Sequence, residues 1–123
     1  MIGITRGDLP VALKMGGLEL RFIPVGDMIL SFYQIPKGTD FASLLKGLPD
    51  DMCQCRHWGH LIKGKILVRT KAGDEIVETG QVFYMAPGHL PEFPEDCELF
   101  EFAPMAEFKE MMEHVMRQAP GGR

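Results

Sequence analysis

The densest group of chemically capable side chains in this sequence is Asp51-Met52-Cys53-Gln54-Cys55-Arg56-His57-Trp58-Gly59-His60. Thiols, imidazoles and carboxylates are the groups that ligate transition metals and move protons. Read as a β-strand, the segment alternates faces. Asp51, Cys53, Cys55 and His57 then project to one side, and Met52, Gln54, Arg56 and Trp58 to the other. Four such groups facing one interior are costly to bury unless they are hydrogen-bonded or hold an ion. Strand geometry limits the sharing: residues i and i+2 lie roughly 7 Å apart, whereas i and i+4 lie roughly 13 Å apart. A straight strand therefore cannot offer Cys53, Cys55 and His57 to one metal together. Cys55 with His57 is the first natural pair, and Cys53 with Cys55 the second.

A further donor must come from elsewhere, and His89 in Tyr84-Met85-Ala86-Pro87-Gly88-His89-Leu90-Pro91 is the informative one. Pro87-Gly88 turns the chain sharply and can aim His89 into a cavity. Thiolate and imidazole donors suit zinc above all, then iron or copper, and are poor matches for calcium. Cys97 and His114 have no such company and are expected to be structural. His60 follows Gly59, which leaves its direction open. Cys55 with His57 also has the composition of a nucleophile and its base, with no sign of an oxyanion hole. No Gly-rich phosphate loop, GxSxG or CxxC occurs, and Asp50-Asp51 and Glu95-Asp96 read as solvated turns.

The elements that must position these groups are short. Strand-like runs occupy Leu18 to Pro24, Met28 to Ile35, Cys53 to Ile62, Lys65 to Thr70, Glu75 to Glu78, Val82 to Met85 and Glu98 to Phe102. Short strands at regular intervals favour a β sandwich or barrel over βαβ units. Lys71-Ala72-Gly73-Asp74 reads as a hairpin turn and Lys63-Gly64-Lys65 as a corner or bulge. Thr39 to Pro49 is expected to form a short helix or helical loop, with Thr39 or Asp40 as N-cap. Residues 105–118 carry the one strong helical signal: Met105, Phe108, Met112 and Val115 form an apolar stripe. That stripe is expected to pack on the outside of the barrel or against a second subunit. The tail Pro120-Gly121-Gly122-Arg123 is expected to fray.

Composition sets the outer bounds. A chain of 123 residues with 46% hydrophobic and 24% charged residues is a single globular domain. Thirteen Lys and Arg against seventeen Asp and Glu leave a net charge of −4, which disfavours nucleic acid or an anionic membrane as the main partner. No apolar run approaches the ~20 residues that cross a bilayer. The opening MIGITRGDLP lacks the apolar core of a signal peptide, so a cytoplasmic location is expected. Three cysteines imply no disulfide framework.

In order, His57-Trp58-Gly59-His60-Leu61-Ile62-Lys63-Gly64-Lys65, Gly73-Asp74-Glu75 and Gly80-Gln81-Val82-Phe83-Tyr84-Met85-Ala86-Pro87-Gly88-His89 resemble the two motifs of the cupin superfamily. The likeness spans roughly residues 50–103 and is greatest to small single-domain, RmlC-like cupins of the conserved-barrel type. The resemblance implies an all-β, double-stranded β-helix or jelly-roll barrel. To this the sequence adds a C-terminal α-helix, with the barrel core at about 18–103 and the helix at about 105–118. It also implies a homodimer and a metal inside the barrel.

The usual cupin ligands are not kept. Counting back from Gly64, the family's Glu position falls on His57, its two His positions fall near Asp51 and Cys53, and its second-motif His position falls on Pro91. Either the site is rebuilt from Cys53, Cys55, His57 and His89, or the barrel holds an organic ligand without metal. In the first case Cys55, His57 and His89 are expected to ligate a divalent transition metal, zinc first. Cys53 or Asp51 is then the fourth ligand or a supporting group, and an open position acts on a small organic substrate. In the second case His57 is the expected general base of an enzyme. Without turnover, a barrel mouth lined with Phe83, Met85, Trp58 and Phe22 holds a small apolar molecule. A purely structural partner of a larger enzyme is a third reading, drawn from the Met-rich helix.

Overall fold

Alternation of apolar and polar residues builds the sheets. The computed structural model describes residues 3–119, so the tail at 120–123, expected to fray, lies outside the described residues. Nine strands follow in chain order: β1 Val11–Met15, β2 Leu18–Val25, β3 Met28–Ile35, β4 His57–Lys63, β5 Lys65–Thr70, β6 Gly73–Glu78, β7 Val82–Met85, β8 Leu90–Glu92 and β9 Cys97–Pro104. Two helices accompany them, α1 Phe41–Leu45 and α2 Met105–Gln118. Six strands form one sheet in the order β1-β2-β3-β9-β4-β7, and β6-β5-β8 form the other, all antiparallel.

The centre of the large sheet shows the period-2 pattern directly. Along β9, Cys97, Leu99, Glu101 and Ala103 are buried, and they pair with Ile35, Tyr33, Ser31 and Ile29 of β3. These residues face the barrel interior, where Ile66 and Val68 of β5 meet Leu20, Leu61 and Leu99 in one apolar core. The opposite face of β3 carries Leu30 and Phe32, which are sealed by Leu9 and Ile4 from the segment before β1. Burial of these side chains, at about 25 cal/mol per Å² of apolar surface, is the main force holding the sheets together.

Turns fall where the residues demand them. Gly64, between β4 and β5, has φ +100 and lies so close to β9 that a Cβ would sit 2.4 Å from Asp96 O and 2.5 Å from Cys97 Sγ. Only glycine fits there. Gly73 opens the β5–β6 hairpin, and Asp40 caps α1 by accepting from Ser43 N at 3.1 Å.

The strands missed in the sequence, β1 and β8, are the ones without a clean signal. β8 is only three residues and contains Pro91, which normally argues against a strand. Helix α2 has the expected bounds but a more intimate position than the outside of the barrel. Phe108 and Val115 are buried in the core, and Phe22 meets the Phe108 ring edge-on at 4.9 Å. The helix is tied down at two points: Glu107 bonds Arg56, and His114 Nε2 bonds Lys46 O at 2.7 Å. Among the described residues, no helix is long and apolar enough to cross a membrane.

Candidate metal centre

The segment before β4 is not a straight strand. Cys53 forms an isolated antiparallel bridge with His89: its N–H donates to His89 O at 2.8 Å, and its carbonyl accepts from Gly88 N at 2.8 Å. The chain then bends through Gln54, Cys55 and Arg56 before β4 begins at His57. The bend folds Cys53 back onto His57, so Sγ and Nε2 are 3.5 Å apart. Extended geometry would separate these two residues by about 13 Å. The straight-strand limit on Cys53 and His57 therefore does not apply, and the two meet as the rebuilt site requires. The cause is the pairing of Cys53 with the Pro87-Gly88-His89 turn, a contact between distant segments.

The same turn, with Gly88 at φ +90, brings in His89. Cys53, His57 and His89 each offer a ligand atom, and the three atoms lie within 4.8 Å of one another. All three residues are buried, and the two rings stand edge-on at 5.1 Å. His89 Nδ1 is 2.6 Å from Ala86 O and donates to it. His57 Nδ1 is 3.2 Å from Glu101 Oε1. In each ring Nε2 is the nitrogen opposite that oxygen, and in His57 it faces Cys53 Sγ.

This donor set fits a transition metal. With Zn–S near ~2.3 Å and Zn–N near ~2.05 Å at a tetrahedral angle, a sulfur and a nitrogen on one ion lie about 3.6 Å apart. The Cys53–His57 separation of 3.5 Å matches that value. Ligating histidines characteristically donate their other N–H to a carboxylate or a backbone carbonyl, as Glu101 and Ala86 allow here.

Electrostatics drive every group in the cluster toward its neutral form. Burial, helped by neighbouring His89, pushes His57 down, and burial does the same to His89. Burial pushes the Glu101 carboxyl up to about 8 and the Cys53 thiol up to about 12. Tyr33 is raised by burial, then by Glu101 and the two thiols facing it. At neutral pH the His57–Glu101 contact is thus a close approach of two neutral groups rather than an ion pair. The low value of His57 also removes the near-neutral imidazole on which its reading as a general base depended.

The cluster forms one polar wall of a cavity of about 70 Å³, room for a few waters or a small organic group. The remaining wall is apolar, with Leu20, Ile35, Leu45, Ile66, Leu99 and Val115 among its residues, and among the described residues no Lys or Arg lines it.

Of the sequence-named pocket residues, Met85 lines the cavity. The others do not. Asp51 sits in an exposed 3-10 turn and accepts from Gly47 N at 2.8 Å, because the bend breaks the alternation that put it on the inner face. Trp58 points outward from β4 and stacks beside Tyr84 at 5.1 Å. Phe83 faces inward but lies across Gly59, where a Cβ would be 2.4 Å from its ring. Phe22 is taken up by Phe108. Cys55 lies 4.0 Å from His57 Nδ1, on the Glu101 side of the ring and away from Nε2. Cys53 occupies the place expected of Cys55. Cys97 and His114 bond backbone carbonyls, as structural residues do.

Two polar residues of the cavity wall escaped the sequence reading, Glu101 and Tyr33. A signal for Glu101 was available: it shares the inward parity of Cys97, Leu99 and Ala103.

Solved structures set the class. An RmlC-like cupin from Shewanella frigidimarina NCIMB 400 superposes with a TM-score of 0.60 at 12% identity, over 85% of this chain and 90% of that one. A structural genomics protein of unknown function from Rhizobium leguminosarum bv. viciae 3841 gives 0.59 at 14% identity, over 85% and 96%. A variant of Bacillus subtilis oxalate decarboxylase gives 0.56 at 14% identity, over 82% of this chain and 28% of that one. The fold is that of a cupin jelly-roll barrel with a C-terminal helix, and the barrel holds a buried Cys/His/His cluster. By sequence, no family model and no curated protein matches the chain.

Proposed function

We propose that this chain is a metal-binding barrel for a small organic molecule, in which Cys53, His57 and His89 hold a divalent transition metal. The observation that carries this reading is the orientation of the two imidazoles. His89 Nδ1 bonds Ala86 O, His57 Nδ1 has Glu101 Oε1 at 3.2 Å, and His57 Nε2 faces the Cys53 thiol at 3.5 Å. Zinc suits three such donors, and copper or iron are the other candidates. A metal bound there supplies Lewis acidity at the head of the cavity.

The chain's own residues do the rest. Apolar lining selects a small, largely apolar molecule and excludes water. Glu101 stands 3.2 Å from His57 Nδ1, and its raised carboxyl holds a proton within the cavity wall. Among the described residues no Lys or Arg lines the cavity, which leaves polyanions without a counter-charge there. A homodimer fits the exposed Trp58, Val82, Tyr84 and Phe102 on the outer face beside β7, the last strand of its sheet.

Elemental analysis of tag-free protein dialysed against a weak chelator tests the reading. Near-stoichiometric zinc, copper or iron is expected. A barrel that retains no metal and takes none up supports the second reading, a metal-free binding module, which the apolar lining favours.

A further inference from the structure

Helix α2 brings a fourth soft donor to the cluster. Met111 lines the same cavity, and its Sδ lies 3.6 Å from Cys53 Sγ. Two sulfurs bound to one ion at ~2.3 Å and a tetrahedral angle lie about 3.8 Å apart. The contact is thus close to the ligand–ligand spacing, as is the Cys53–His57 contact.

The placement of Met111 follows from how α2 is held. Glu107 precedes Met111 by one turn and is bonded to Arg56 at 3.0 Å, through both the backbone N–H and the guanidinium. Val115, one turn later, is buried and lines the cavity. Residues at i and i+4 share a helix face, so these two anchors turn Met111 inward.

Thioethers discriminate strongly between metals. They are poor donors to zinc and good ones to copper(I), and a Cys/His/His set completed by Met is a copper donor set. We propose that Met111 is the fourth ligand of this centre and that the centre takes copper(I) in preference to zinc. The proposal rests on the three-residue site described above and adds the residue that chooses the metal.

Anaerobic copper(I) titration of the metal-free chain against a chromophoric copper(I) chelator, with X-ray absorption of the loaded protein, tests it. Wild type is expected to bind one copper(I) per chain with two sulfur and two nitrogen neighbours. Met111→Leu conserves volume and is tolerated by a core. It is expected to weaken copper(I) binding roughly tenfold or more, at least the cost of losing a supporting residue. It should also drop the sulfur count from two to one and leave zinc affinity unchanged. Met112→Leu, on the same helix, should behave as wild type. Unchanged copper(I) affinity and two sulfurs in Met111→Leu would overturn the role of Met111 while leaving the three-residue site standing. A wild-type chain that binds neither copper(I) nor zinc would overturn both.

Discussion

Cys53 Sγ and His57 Nε2 stand 3.5 Å apart although four residues separate them, because Cys53 pairs with His89 and the chain bends before β4. The donor set therefore depends on a long-range backbone contact as much as on the donors themselves.

Removing a donor should release the metal without unfolding the barrel. His57→Ala and Cys53→Ser are expected to lose near-stoichiometric metal while keeping the β-rich circular dichroism spectrum of the wild type. Cys55→Ser, whose thiol lies away from His57 Nε2, should retain it. Metal-to-protein ratios after dialysis decide; full retention by His57→Ala would remove it from the ligand set.

Metal uptake should expel protons. Near neutral pH the thiol of Cys53, raised to about 12, and the carboxyl of Glu101, raised to about 8, both hold their protons, while His57 and His89 are neutral imidazoles with none to release on binding through one nitrogen. A dication with a thiolate and a carboxylate sums to zero charge, so about two protons leave per metal below pH 8 and about one above it. Isothermal titration in buffers of different ionisation enthalpy gives the count directly.

Glu101 should make the metal-free protein less stable as pH rises. Its carboxyl is raised from 4.5 to about 8, so between those values the folded chain binds a proton that the unfolded chain has lost. The two histidines are lowered, and they cost stability only as pH falls below the ordinary 6.5. From pH 6.5 to 8 the carboxyl acts alone, and stability declines by up to about 1.4 kcal/mol per pH unit. Urea midpoints should fall across that window in wild type and stay level in Glu101→Gln. The same variant should bind metal roughly 10–100-fold more weakly, having lost the partner of His57 Nδ1.

Gly64→Ala should be among the most damaging substitutions in the chain. The new methyl would meet backbone oxygen at 2.4 Å, at a φ of +100. A loss of about 3 kcal/mol or more is expected, read as a lowered thermal midpoint or insoluble expression. Gly80→Ala, also at positive φ but with open space around it, should cost less.

The outer aromatic patch should set the oligomeric state. Val82 is 79% exposed and Tyr84 53%. Val82→Asp is expected to convert a dimer to monomers in light scattering, with metal content untouched. An unchanged mass would place the interface elsewhere.

The barrel was legible in the sequence because its strands follow local rules. Met28–Ile35, Lys65–Thr70 and Val82–Met85 have the bounds that alternation and turn residues suggest, and α2 carries an unbroken apolar stripe. The site was legible in its membership more than in its arrangement. Cys53, His57 and His89 stand out by type, but the bend at 54–56 comes from pairing across the barrel, which no local pattern encodes. A straight strand running back to Cys53 favours Cys55 beside His57 and places Asp51 inside, whereas the bend brings Cys53 to His57 and leaves Asp51 exposed. Glu101 stands out only once the inward parity of β9, set by Cys97, Leu99 and Ala103, is known.

The bonds from Arg56 to Glu107 have a mechanical consequence. Arg56 lies between Cys55 and His57, so the donor loop and the first turn of α2 move as one piece. Proteolytic clipping after Pro104 would therefore do more than uncover the barrel. It would slacken the loop that holds Cys53 against His57, and a bound metal would be expected to escape although Cys53, His57 and His89 all remain in place.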